Sequence, residues 1–244
     1  MTPRPVPKVW GSTHLEPWYR DASDKIGEVW FEGPEPLPLL IKFLFTSEPL
    51  SVQVHPQGKT EMWHILAAEP GAKIAAGFRE TITPQRLRES ALSGEIEQLM
   101  EWHEARPGDT FFIPAGTVHA IGAGLTLCEI QQHSDVTYRL YDYGRPRELH
   151  LEEGVRVSDL GSHAARQTAR EELLVSCRFF TTEKWRIDGR RVFAAMPGGQ
   201  TVIVLDGEIE IGKQRFRAGE AVQAVAAEPV DLSGQASLLR TYTA

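Results

Sequence analysis

Residues 51–66, SVQVHPQGKTEMWHIL, alternate like a β-strand yet carry Gln53, His55, Lys59, Glu61 and His64 within a dozen positions. In a strand, residues two apart share a face. Ser51, Gln53 and His55 therefore point one way, and Val52 and Val54 the other. The apolar pair must face packed protein, so the polar trio faces either water or a lined cavity. The segment PQGK reads as a turn, and a second strand starting near Thr60 brings Glu61 alongside His55. By the same alternation Glu61 and Trp63 share a face, while Met62 and His64 take the opposite one. That parity makes His64 a packing or hydrogen-bonded histidine rather than a partner of His55.

Working outward, LLIKFLF, AKIAAGF, DTFFIPA, TLCEIQQ and TYRLYDY are segments of the same kind. Short runs rich in β-branched and aromatic residues, divided by Gly, Pro and polar turns, predict an all-β sandwich or barrel. One insertion, at about residues 83–106, breaks the pattern. Thr83-Pro84 reads as an N-cap followed by proline in the first turn. Leu87 and Ala91, then Ile96, Leu99, Met100 and His103, recur at helical spacing, which predicts two short helices before Pro107. Residues 161–175 are small and polar, and read as a linker. Strands resume from 176 to 244, where Asp206-Gly207 predicts a hairpin turn.

Composition narrows the function. A chain of 244 residues, 41% hydrophobic, can bury one core or one core and a satellite. Its net charge is −7 and no basic run occurs, which argues against nucleic acid as a partner. An anionic ligand stays open, because a pocket can be basic in an acidic protein. Cys128 and Cys177 form no CxxC pair, so reduced thiols and a cytoplasmic location are expected. The start, MTPRPVPKVWG, lacks the apolar region of a signal peptide. The most apolar run, LPLLIKFLF, is interrupted by Lys42 and too short to span a bilayer, so no membrane partner is expected.

A second half-site lies in PGDTFFIPAGTVHAIGAG. Pro107-Gly108-Asp109 is a turn, residues 110–113 a buried strand, and Pro114-Ala115-Gly116 a sharp bend that presents His119. Gly108-x5-Pro114-x-Gly116-x2-His119 matches the second motif of the cupin superfamily at every fixed position. Gln53-x-His55-x5-Glu61 resembles the first motif more loosely. With Gln for the first cupin histidine, PKVWG, KIGE, LPLLIKFL, LSVQVHP, GKTEMW, IPAGTVHAIG and EIQQHSDVTYRLYD are together similar to the type I mannose-6-phosphate isomerases, in their short bacterial form. Ser12 stands where a second glycine is usual, and His133 where asparagine is common.

That resemblance implies tandem cupin-type jelly-roll barrels with a short helical insertion in the first. Residues 1–160 would form the metal-binding barrel, and 176–244 a degenerate barrel in which Thr201 and Val230 fall where Glu61 and His119 stand. It implies one Zn2+ per chain, held by Gln53, His55, Glu61 and His119. Only Glu61 is anionic, so the site would keep one net positive charge, favourable to an enediolate. Ser51, Lys59 and Arg139 would contact a small sugar phosphate, with Arg139 suited to bidentate phosphate binding. Arg139, Glu129, Lys59 and Asp135 are the expected catalytic group, with the proton-transfer base open among Glu129, Asp135 and Lys59. The implied activity is interconversion of mannose 6-phosphate and fructose 6-phosphate. Two other readings are an iron cupin dioxygenase and a non-catalytic sugar-binding cupin.

Overall fold

The structure is a computed structural model that describes residues 1–33, 38–224 and 228–243. Leu37 of the apolar run, and residues 225–227 and 244 of the C-terminal β region, lie outside the described residues. Strands β1 (Thr2–Ser12), β2 (Ile26–Glu32), β3 (Leu39–Thr46), β4 (Val52–Val54), β5 (Glu61–Ala68) and β6 (Lys73–Phe78) precede helices α1 (Pro84–Ser93) and α2 (Ile96–Leu99). Then come β7 (Met100–Glu104), β8 (Thr110–Ile113), β9 (His119–Ile121), β10 (Leu125–Gln132), β11 (Tyr138–Tyr141) and α3 (Leu151–Val157). The last strands are β12 (Arg166–Gln167), β13 (Leu173–Ser176), β14 (Phe180–Phe193), β15 (Gln200–Ile211), β16 (Gln214–Arg217), β17 (Ala221–Ala224) and β18 (Val230–Thr243).

The chain is all-β with a short helical insertion. A seven-stranded sheet runs β1-β2-β3-β10-β5-β8-β12, and a five-stranded sheet runs β11-β4-β9-β6-β7. A six-stranded sheet runs β13-β14-β18-β15-β16, with β17 also paired to β15. Within the stretch expected as a linker, β12 joins β8 in the first sheet and β13 begins the third.

The seven-stranded sheet is covered on both faces. Leu44, Trp63, Phe111 and Leu127 pack with Ile74 and Ile121 of the five-stranded sheet. Phe31, Phe43, Met62 and Cys128 pack the other way, onto Phe180, Ile203 and Leu239 of the six-stranded sheet. All eight residues of β3 are therefore buried, and a strand buried on both faces reads as a near-continuous apolar run, here broken by Lys42. The five-stranded sheet turns Val52, Val54 and Ala120 outward under Leu87 and Ala91 of α1 and Val155 of α3. That cover leaves Gln53 and His119 to face the barrel.

Helix α1 begins as expected, with Thr83 Oγ1 accepting from the Arg86 amide at 3.1 Å and Pro84 in the first turn. It ends at Gly94, whose φ of 82° is left-handed and suits glycine. The second predicted helix stops at Leu99. Met100 to Glu104 form β7 instead, pairing with β6 at Phe78↔Met100 and Lys73↔Glu104. Met100 and His103 fit helical spacing, but pairing at the edge of the sheet outweighs that weak preference.

Strands β1 and β2 had no counterpart in the sequence reading. Prolines at 3, 5 and 7 disguise β1, which is an edge strand where proline is tolerated. The expected hairpin at Asp206-Gly207 is also corrected. β15 runs straight through it with a bulge between Val204 and Asp206 opposite β18, and the turn comes at Gly212-Lys213. A Cβ on Gly207 would meet the Gln235 carbonyl oxygen at 2.1 Å, so this glycine serves close strand approach rather than chain reversal.

Candidate active site

The site is assembled by strand register. Gln53 of β4 pairs with His119 of β9, and Arg139 of β11 pairs with Gln53 from the other side. Glu61 opens β5 opposite Ile113 of β8 and Gln131 of β10. The bend after β8 is tied back to this point, because the Gly116 amide donates to the His55 carbonyl at 2.9 Å. Gly116 has φ 93°, and a Cβ there would press on the Val157 carbonyl oxygen at 3.1 Å.

Two imidazoles converge on one carboxylate. His55 Nε2 lies 3.3 Å from Glu61 Oε2, and His119 Nε2 lies 3.6 Å from Glu61 Oε1. His55 Nδ1 donates to the Val136 carbonyl at 3.1 Å, and His119 Nδ1 to the Thr117 carbonyl at 2.8 Å. Each bond to backbone fixes a tautomer and turns the Nε2 lone pair inward, the usual arrangement behind a metal-binding imidazole. All three side chains are 1% exposed. His55 Nε2 and both Glu61 oxygens are nonetheless buried with no hydrogen-bond partner among the described residues. Buried groups of this kind are costly unless a cation completes them.

His55, Glu61 and His119 thus form a candidate metal site, with one ligand atom from each lying within 4.8 Å of the others. Burial pulls the His55 pKa down to about 4, against the attraction of Glu61, and lowers His119 likewise. Burial alone would raise Glu61, but His55, Lys59 and His119 together hold it well below the usual carboxylate range. Neutral imidazoles and an ionised carboxylate are the ligand states that a divalent cation requires.

Gln53 stands beside the triad rather than within it. Its amide nitrogen is 3.2 Å from His119 Nε2, and its Oε1 accepts from Ser51 Oγ at 3.2 Å. Half a turn of the amide exchanges nitrogen and oxygen at constant shape and brings an oxygen to the centre.

Ser51, Lys59, Glu129, Asp135 and Arg139 line one cavity of about 290 Å³, together with Gln53 and His55. Lys59 is 5% exposed, and its ammonium donates to Thr137 Oγ1 at 3.2 Å. Burial lowers its pKa, against the pull of Glu61. Arg139 donates from Nη1 to the Glu148 carbonyl at 2.7 Å, while its Nε is buried without a hydrogen-bond partner among the described residues. Asp142 pairs instead with Arg145 and Arg147, so among the described residues no carboxylate forms an ion pair with Arg139. Asp135 is exposed at the cavity edge.

Sequence reading missed Lys42 and Glu28, which line the same cavity. Lys42 is 5% exposed on β3 and 3.0 Å from Glu129 Oε1. The available signal was the charge itself: a lone lysine inside the most apolar run of the chain calls for a buried partner.

His64 lies on the far face of β5, as parity requires, with Nδ1 2.9 Å from Thr110 Oγ1. Burial lowers its pKa from 6.5 to about 3. Between those values the unfolded chain binds a proton that the folded chain does not. The contribution of His64 to stability is therefore complete above pH 6.5 and is lost as pH falls toward 3, by about 1.4 kcal/mol per pH unit. Urea titrations of His64→Gln from pH 7 to pH 5 should show a shallower loss of stability than the parent protein. Parallel losses would remove His64 from the acid response.

The fold and the inward-facing imidazole–carboxylate set define a cupin-type protein with a candidate metal centre in its barrel. No family model matches the chain. The mannose-6-phosphate isomerase ManA of Bacillus subtilis is 36% identical over 197 residues, which cover 70% of this chain and 62% of that protein. The probable mannose-6-phosphate isomerase GmuF of the same organism is 32% identical over 229 residues, covering 80% of this chain and 71% of that one. The matched stretch is thus under two thirds of ManA. Among solved structures, a Bacillus subtilis mannose 6-phosphate isomerase superposes with a TM-score of 0.82 at 25% identity, over 99% of this chain and 98% of that one. A zinc-bound mannose 6-phosphate isomerase shares the fold at a TM-score of 0.78 and 16% identity, over 99% of this chain and 98% of that one. The chain belongs to the mannose-6-phosphate isomerase family.

Proposed function

We propose that the chain is a zinc-dependent isomerase that interconverts mannose 6-phosphate and fructose 6-phosphate, with one zinc per chain. The observation that carries the reading is the buried triad, whose His55 Nε2 and Glu61 oxygens have no hydrogen-bond partner among the described residues, beside a cavity that His55 lines with Lys59, Glu129 and Arg139. Nitrogen and oxygen donors of this kind suit zinc, and a zinc-bound family member has the same fold. His55, Glu61 and His119 would hold the ion, with the Gln53 oxygen as fourth ligand. When bound, zinc supplies fixed positive charge beside the sugar oxygens on which negative charge grows.

The rest of the chemistry falls to the chain's own side chains. Arg139 meets the anionic end of the sugar, its Nε free of any carboxylate. Ser51 orients Gln53 and offers its hydroxyl to the cavity. Lys59 would carry the proton between C1 and C2, since among the described residues the Thr137 hydroxyl is the hydrogen-bond partner of its nitrogen. Glu129, held in the cavity wall by Lys42 and Trp63, accepts a sugar hydroxyl. Asp135 guards the entrance.

The six-stranded sheet serves as a buttress. Among the described residues it contributes no group of three His, Cys, Asp or Glu side chains placed to share a cation. No helix among the described residues is long and apolar enough to cross a membrane. The thiols of Cys128 and Cys177 are free, which fits a reducing, cytoplasmic setting. A coupled assay with mannose 6-phosphate tests the reading. Turnover should vanish on chelation and return with zinc at one equivalent per chain. Full turnover after complete metal removal would overturn it.

A further inference from the structure

Lys42, Glu129 and Trp63 are neighbours in one row across the seven-stranded sheet. The register pairs Trp30 with Lys42, Lys42 with Glu129, Glu129 with Trp63 and Trp63 with Phe111, on strands β2, β3, β10, β5 and β8. Directly opposite residues share a face, so the row forms one continuous wall. Lys42 Nζ donates to Glu129 Oε1 and to Gln131 Oε1, each at 3.0 Å. Trp63 Nε1 donates to the other oxygen, Glu129 Oε2, at 3.1 Å. The two strands flanking β10 therefore hold the carboxylate by both of its oxygens.

Lys42 is itself held. It lies over the ring of Trp30, 4.9 Å from the centroid, and 4.0 Å from Glu28 Oε1. Glu28 Oε2 accepts from Trp30 Nε1 at 2.8 Å and pairs with Lys8 at 3.3 Å. Burial disfavours the Lys42 ammonium, but Glu129 and Glu28 together outweigh it and raise its pKa. Removing one member of such a buried pair leaves the other charge uncompensated. At its far end the row reaches the triad, because the Trp63 ring meets His119 edge-on at 5.3 Å.

We infer that Lys42 is a positioning residue of this site: with Trp63, it fixes the Glu129 carboxylate in the cavity wall at the orientation that turnover requires. The inference rests on the isomerase reading, and it assigns Lys42 no contact with substrate. Its effect must then pass through Glu129, which a double-mutant cycle measures.

The experiment compares the zinc-loaded parent, Lys42→Met, Glu129→Gln and the double variant. Lys42→Met should lower kcat about 100-fold with KM changed less than about threefold, the signature of an interaction used in the transition state. In the Glu129→Gln background the same change should lower kcat by less than about threefold. Equal losses in both backgrounds, or a loss confined to KM, would overturn the inference. Urea unfolding of the same four proteins reads the pairing whatever the activity. Lys42→Met should destabilise the parent more than the Glu129→Gln protein, and additive effects would overturn the clamp. A folded, zinc-loaded parent that does not turn over mannose 6-phosphate would instead refute the isomerase reading, a separate outcome.

Discussion

Glu61→Gln is expected to weaken zinc binding at least about 100-fold and to abolish turnover, while costing the metal-free protein less than the roughly 3 kcal/mol of a broken buried ion pair. The two halves of this expectation have one cause. Both Glu61 oxygens are buried without a hydrogen-bond partner, between imidazoles whose Nδ1 protons are committed to backbone carbonyls. Desolvation of that carboxylate is offset in the metal-free chain by Lys59 and the two imidazoles, and a cation supplies the direct partner that its oxygens lack. Glutamine keeps the shape and drops the charge. The alternative is a simple ion pair between Glu61 and a protonated His55. Burial, which holds the His55 pKa near 4, argues against that at neutral pH. Zinc content by elemental analysis, with urea unfolding of both proteins with and without zinc, separates the two. Loss of about 3 kcal/mol or more in the metal-free variant would favour the ion pair, since breaking a buried pair costs that much.

The strands that carry the candidate ligands were legible because each obeys one alternation. Val52 and Val54 had to pack, and they do, under α1 and α3, so Gln53 and His55 had to face inward. The same parity separated His64 from Glu61 three residues earlier. Legibility failed where one pattern served two structures. Met100 and His103 suit a helix and a strand alike, and only the open edge of β6 decides between them. Asp206-Gly207 carries a turn signal that a bulge also uses, and the choice rests on how closely β18 approaches. Lys42 was hidden for a different reason. Its run was read for what its apolar residues do, while the partner that keeps a lysine there lies 87 positions along the chain. Charge balance inside a barrel is a non-local property, and no local period reports it.

Lys59→Met is expected to lower kcat by about 10³, within the usual range for loss of a general acid–base group, with zinc content unchanged. Of the three candidates for the base, geometry separates Lys59 from the others. Both Glu129 oxygens are engaged, by Lys42 and Trp63, and Asp135 is exposed at the mouth, where water competes for any proton. Lys59 is 5% exposed, and a threonine hydroxyl is the hydrogen-bond partner of its nitrogen, so it retains capacity to face a sugar carbon or hydroxyl. Methionine preserves length and packing and removes only the nitrogen. Arg139→Ala gives the contrasting signature, a rise in KM for the phosphorylated sugar, because its guanidinium is assigned to binding. Exchange of the substrate's C2 hydrogen with solvent should fall in step with kcat in Lys59→Met. A variant that turns over at the parental rate would hand the proton transfer to Glu129 or Asp135 and leave Lys59 as a spectator charge.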